Sequence, residues 1–192
     1  TKLNNKKIFL GKEIIDIINK KRKIGKIFDL IFSSPLNRSV QTANMFKSKK
    51  IIKNNLLKEI NYGKAEGLKI DDFIQLYPKI IQKWKKNKDP RFPGGENNSM
   101  VLSRVKKFNK HLLSFQKKIK FKKCLVVTHN VFLRCLIGHY FNIKKNEWHM
   151  LKINHLNNFK FVIINGKLIP NISRVEIKKV FDYKINEFSS IN

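Results

Sequence analysis

Apolar and polar positions along the chain fall into two kinds of block. Short apolar runs read as strands, and longer stretches with helical spacing stand between them. In Lys7–Lys20, Ile8, Phe9, Ile14, Ile15, Ile17 and Ile18 predict an amphipathic helix, with Gly11 weakening it locally. Lys26–Phe32 predicts a strand that ends at Ser33-Ser34-Pro35, because Pro35 biases Ser34 towards an extended backbone. A helix over 36–46 follows, with Leu36, Val40, Ala43 and Phe46 near one face. Ile51–Ile60 predicts a strand with an irregular end, and Asn61–Gly67 a turn-rich loop. Asp71–Lys85 carries Phe73, Leu76, Tyr77, Ile80, Ile81 and Trp84 at helical spacing, with a kink or break expected at Pro78. The loop 86–99 holds two prolines and the adjacent Gly94 and Gly95, and a long helix is expected over Ser99–Gln116. Cys124–Thr128 predicts a strand and Val131–Phe141 a helix. Glu147–Ile153 and Phe159–Ile164 predict further strands, with a turn at 165–167.

This alternation predicts an α/β fold: three layers, with a mainly parallel sheet flanked by helices on both faces. The run Leu125–Val127 is apolar without alternation, as a central parallel strand requires. Ligands of such folds lie beyond the carboxyl ends of the strands, which is where Arg38 and His129 fall. A single domain over 1–192 is expected, with the polar, lysine-rich 172–192 as a packed final strand or a loose tail.

Composition changes the picture in three respects. No run approaches ~18 uncharged apolar residues, so no membrane span or membrane partner is expected, and the first residues show no secretory leader pattern. Two cysteines, Cys124 and Cys135, are too few for a disulfide scaffold, and a reducing cytoplasm fits them. The net charge of +29 suggests a nucleic-acid binder at first sight. However, the chain has 36 Lys, 22 Asn and 26 Ile against 6 Arg and 2 Ala, the bias of AT-rich coding. The lysines are spread along the whole chain, so no specific nucleic-acid partner is expected.

Four stretches carry candidate chemistry. Arg38, near the start of its helix and just after Ser33-Ser34, reads as a phosphate ligand or as a surface arginine. His129, at a strand-to-helix junction, reads as a group aimed at an oxyanion or as a buried capping histidine. Asn130 is a candidate cap for the following helix, and Arg134 points back to the site or pairs with a carboxylate. Glu59 and Glu66 bracket a glycine-containing loop in a chain with only 13 acids. Glu59 is a candidate general acid for a phosphate ester, or a carboxylate paired with a lysine. Pro93-Gly94-Gly95-Glu96 forms a tight turn without a nucleotide-loop spacing. The histidines show no metal-ligand spacing.

FDLIFSSPLNRSVQTA, LLKEINYGKAEG, FPGGEN and LVVTHNVFLR occur in the order of comparable motifs in the histidine phosphatase (phosphoglycerate mutase-like) superfamily, which the chain from Thr1 to Phe141 resembles. The resemblance implies that Arg38 binds the phosphoryl oxygens, that Glu59 is the general acid, and that His129 stabilises the transferring phosphoryl group. Ser34, Asn130, Arg134 and Glu66 would be supporting neighbours. It implies covalent transfer through a phosphohistidine, with no metal and no cofactor, on a small phosphorylated metabolite, by a monomer or homodimer.

Three departures stand out. Asn130 replaces the family's glycine, and Ala65 its tryptophan before Glu66. The Arg-His-Gly triplet that carries the nucleophile is absent. The expected reason is that this segment lies upstream of Thr1, so that the chain by itself has little activity; loss of the motif in a degenerate relative is the alternative. Hydrolysis of a phosphate monoester is expected, on the short span between Gly67 and Phe92. A phosphoglycerate mutase and a non-enzymatic basic binder remain the alternatives.

Overall fold

Leu30, Ile31, Phe32 and Ser33 are all completely buried, so the strand they form has no solvent face. That burial explains why the run is apolar without alternation. A computed structural model describes residues 27–153 and 159–171. The predicted helix Lys7–Lys20 and the tail 172–192 lie outside the described residues.

Two short strands, β1 (Ile27–Phe28) and β2 (Leu30–Ser33), replace the single strand expected over 26–32. The break falls at Asp29, whose carboxylate accepts the amides of Lys122 and Lys123 at 2.9 and 3.0 Å. The chain continues through helix α1 (Asn37–Asn44), β3 (Lys47–Ser48) and β4 (Ile51–Lys53). β1 pairs in parallel with β3. β2 is the centre of a parallel three-stranded sheet, with β4 on one side and β5 (Cys124–Val127) on the other. Phe32 is opposite both Ile52 and Val126. Ile31, Ala43 and Val127 form a buried cluster, packed by Phe28, Phe46 and Leu125. The expected class, α/β with a mainly parallel sheet, is the one observed.

By contact the chain divides into two compact units. Among the described residues, the first contains 27–55 and 121–127, and so holds the sheet just described. The second contains 56–120, 128–153 and 159–171. In it, α2 (Ile70–Leu76) and α3 (Pro78–Lys85) are separate helices. The break at Tyr77 is the one expected from Pro78, which serves as the first residue of α3, where its missing N–H costs nothing. Phe73 packs on Tyr77, Trp84 and Phe92 at ring separations of 5.2 to 5.7 Å, closing this short segment around aromatic rings.

Helix α4 (Asn98–Ile119) buries Val101, Val105, Phe108 and Leu112, one stripe at helical spacing. The stripe packs on α5 (Asn130–Tyr140), with Phe108 edge-on to Phe132 at 6.3 Å. Each such ring contributes roughly 1.5–3 kcal/mol by leaving water. The Asn97 side chain caps α4 by accepting the Met100 amide, and the Asp89 carboxylate accepts the amides of Asn98 and Ser99. A hairpin, β6 (Phe161–Ile164) and β7 (Lys167–Pro170), turns at Asn165-Gly166, both with positive φ as a tight hairpin requires.

Two expected strands are corrected. Ile51–Ile60 is extended only to Lys53, after which Asn55–Leu57 forms a 3₁₀ turn. Glu147–Ile153 is not a strand, since Lys145–Met150 is 3₁₀ helix. The cause is tertiary: the Trp148 ring lies flat against Gly138 of α5, and its indole N–H donates to the Ile143 carbonyl at 2.9 Å.

Candidate active site

Glu59 sits in an irregular stretch, 58–61, that follows the 3₁₀ turn Asn55–Leu57 and lies in neither helix nor strand. Its backbone must find partners elsewhere. The Thr128 hydroxyl donates to the Leu57 carbonyl at 2.9 Å. Arg104, on α4, supplies most of the rest. Its Nη1 donates to the carbonyls of Leu56 and Lys58, and its Nη2 to that of Glu59. Nε and Nη2 also form a two-pronged pair with Glu96, at 2.8 and 2.9 Å. Glu96 in turn accepts the Asn61 amide, and its own amide donates to the Asn61 carbonyl.

This frame directs the Glu59 side chain to the start of α5. Oε1 accepts the Val131 amide at 3.1 Å and the Ile60 amide at 3.0 Å. His129 is the N-cap residue of the same helix, extended and only 7% exposed, and its carbonyl accepts from Leu133. The Glu59 carboxylate and the His129 backbone therefore share one helix N-terminus, where the first amides and the helix dipole favour negative charge. Asn130, expected as the cap, is instead the first helical residue, and its amide side chain donates to the Ile153 carbonyl.

Arg134, one turn on, donates from Nε to the Leu151 carbonyl. It is also close enough to Tyr62 to act on that phenol's charge. Burial pushes the Tyr62 hydroxyl above its ordinary range, the Glu59 and Glu66 carboxylates push it the same way, and Arg134 opposes them. Tyr62 is thus a neutral phenol at neutral pH, among the groups singled out in the sequence. Glu59, Glu66, His129, Asn130 and Arg134 all belong to this one unit.

The Gly-rich turns have a structural role. Gly63 has φ +56°, and a Cβ there would stand 2.1 Å from the Pro93 carbonyl oxygen. A Cβ on Gly95 would stand 2.3 Å from the Asn61 carbonyl oxygen. The loop after Glu59 and the turn before Glu96 therefore meet backbone to backbone, joined by the Lys64 amide on the Pro93 carbonyl.

In the first unit, the Ser34 amide donates to the Val127 carbonyl, and its hydroxyl accepts the Leu36 amide at 3.3 Å. The fully buried Ser34 thus ties the end of β2 to the end of β5 and shapes the entry into α1. Arg38 is the second residue of α1, with its side chain exposed.

Sequence reasoning missed Arg104 and Tyr62. Arg104 had a visible signal: in a chain with so strong a lysine bias, an arginine marks a place where several acceptors must be met at once. Arg91 and Arg134 also donate to backbone, each from Nε to one carbonyl, Gly95 and Leu151.

Residues 21–168 match the sequence profile of the Histidine phosphatase superfamily (branch 1). Phosphoserine phosphatase 1 of Hydrogenobacter thermophilus is 31% identical over 112 residues, 56% of this chain and 52% of that protein. A 2,3-bisphosphoglycerate-dependent phosphoglycerate mutase of Parvibaculum lavamentivorans is 30% identical over 121 residues, 59% of this chain and 57% of its own length. The chain thus spans little more than half the length of these two relatives. Among solved structures, the alpha-ribazole phosphatase of Shigella flexneri superposes with a TM-score of 0.69 at 20% identity, over 84% of this chain and 81% of that one.

Proposed function

The chain belongs to the histidine phosphatase superfamily, and from that premise we propose that it hydrolyses a small phosphate monoester through a phosphohistidine, with Glu59 as the proton donor and His129 and Arg38 on the phosphoryl oxygens. The observation that carries this reading is the placement of the Glu59 carboxylate and His129 at one helix N-terminus, with Oε1 3.1 Å from the Val131 amide. Arg38 and His129 each stand just after a parallel strand, the position in the chain at which such folds bind ligands.

In the first step a histidine nitrogen attacks phosphorus and the P–O ester bond breaks, while Glu59 gives its proton to the leaving oxygen. Water then attacks the phosphohistidine, the P–N bond breaks, and the water's proton passes to the Glu59 carboxylate. His129 and Arg38 donate to the charge on the phosphoryl oxygens in both steps. The attacking histidine is not in an Arg-His-Gly triplet anywhere in the 192 residues, so the proposal places it outside them.

Two measurements test the reading. Vanadate or inorganic phosphate should bind the 192-residue chain weakly, and Arg38→Ala should abolish that binding. In the chain joined to a segment bearing Arg-His-Gly, turnover of p-nitrophenyl phosphate should appear and fall roughly 10²–10⁴-fold in Glu59→Gln. Equal turnover with and without that segment would refute the placement of the nucleophile. Efficient isomerisation of 3-phosphoglycerate would replace the phosphatase by a mutase.

One observation favours a second reading, a basic polyanion binder. Lys79, Lys83, Lys86 and Lys88 line a shallow basin along α3. Tight, sequence-selective RNA retention on filters at both low and high salt would favour it, since contacts to phosphate alone weaken steeply with salt.

A further inference from the structure

We propose that Arg104 is a positioning residue for Glu59, acting together with Glu96 to fix where the carboxylate meets the α5 N-terminus. The proposal rests on the reading of Glu59 as the proton donor. A guanidinium has five N–H donors in a fixed fork. All five positions on Arg104 are accounted for: Nε to Glu96, Nη1 to Leu56 and Lys58, and Nη2 to Glu59 and Glu96. Three of these acceptors are carbonyls of the stretch that ends in the acid. Beyond the 3₁₀ turn Asn55–Leu57, that stretch has no ladder or helix to hold it, so the path of 58–61 depends on outside partners.

Glu96 closes the arrangement from the other end. It holds Arg104 with both oxygens and the Asn61 amide with Oε2, so the residues on either side of Glu59 are fixed by one ion pair. Fixing the backbone at 56, 58, 59 and 61 leaves the Glu59 side chain as the free variable, and the Val131 and Ile60 amides then select its position. A lysine cannot replace this: it offers a point charge without the fork. A merely structural pair would stabilise α4 equally well without reaching the Glu59 carbonyl.

The test follows the Val131 amide in the ¹⁵N-labelled chain. In the parent protein this amide should exchange slowly with solvent. In Arg104→Gln its exchange should rise roughly tenfold, as one weakened hydrogen bond implies, while the Leu133 amide keeps its protection. Arg104→Lys and Glu96→Gln should give intermediate rises. Leu112→Val, which loosens the core further along α4, should leave Val131 unchanged.

Unchanged Val131 exchange in the folded Arg104 and Glu96 variants would overturn the proposal. If Arg104→Gln fails to fold, the Arg104→Lys and Glu96→Gln outcomes decide in the same way. Activity separates the two readings. Full turnover in Glu59→Gln, in protein that carries the nucleophile, would overturn the role of Glu59 as acid even where Val131 responds.

Discussion

Gly63 and Gly67 look alike in the sequence, but the structure makes opposite demands on them. Both have positive φ, yet only Gly63 is pressed against backbone atoms. Gly67→Ala should therefore cost only left-handed strain, about 1 kcal/mol. Gly63→Ala adds a backbone collision and should cost more than ~2 kcal/mol, measured by urea denaturation of the two variants side by side. Glu96 makes a prediction about pH. Burial alone would raise its carboxyl, but Arg104 and the Asn61 amide outweigh burial and hold it below the ordinary carboxylate range. Its contribution to stability is then present above the unfolded-state pKa and lost as the pH falls through the lower, folded one. Thermal melts from neutral to acid pH should show a shallower acid decline in Glu96→Gln. Burial pushes both Cys124 and Cys135 thiols up to about 12, so neither should react with a disulfide reagent near neutral pH until the chain is unfolded. At this scale the sequence pointed to Glu59 because acids are scarce. It did not show what Arg104 clamps, because three of its acceptors, the carbonyls of Leu56, Lys58 and Glu59, lie more than forty residues away.

At the level of elements, periodicity worked where one segment determines its own state. The stripe on α4, the break at Pro78 and the Asn-Gly turn are local, and all three were legible. It failed where a distant partner decides. Residues 147–153 alternate well enough for a strand, but Trp148 needs the flat surface that Gly138 leaves on α5. Gly138→Ala would place a Cβ 2.2 Å from the indole nitrogen, and overpacking of this kind costs roughly 1–3 kcal/mol. The expected result is a lower melting temperature with a red-shifted tryptophan emission as the ring leaves its site. Asp89 was likewise read only as part of a loop, although its carboxylate caps α4 through Asn98 and Ser99. Asp89→Ala should cost about 1 kcal/mol, visible in chemical denaturation without change of the folded spectrum.

For the whole molecule, the order of assembly follows from the way the sheet is threaded. The middle strand β2 takes one neighbour, β4, from nearby in the chain, but the other from a segment 94 residues further on, as the Asp29–Lys123 bond records. A chain emerging from the ribosome therefore carries a strand destined for complete burial with one side unmatched until β5 has been made. Everything from Leu56 to Lys120 is synthesised during that interval and belongs to the other compact unit. Pairing at such separation is slow, because the intervening loop must be closed before the contact repays it. Nascent chains released just short of Cys124 should partition into the pellet, and chains released after Val127 should not. The wait for a late partner makes the interval before Cys124 is synthesised the period in which this strand is most open to aggregation.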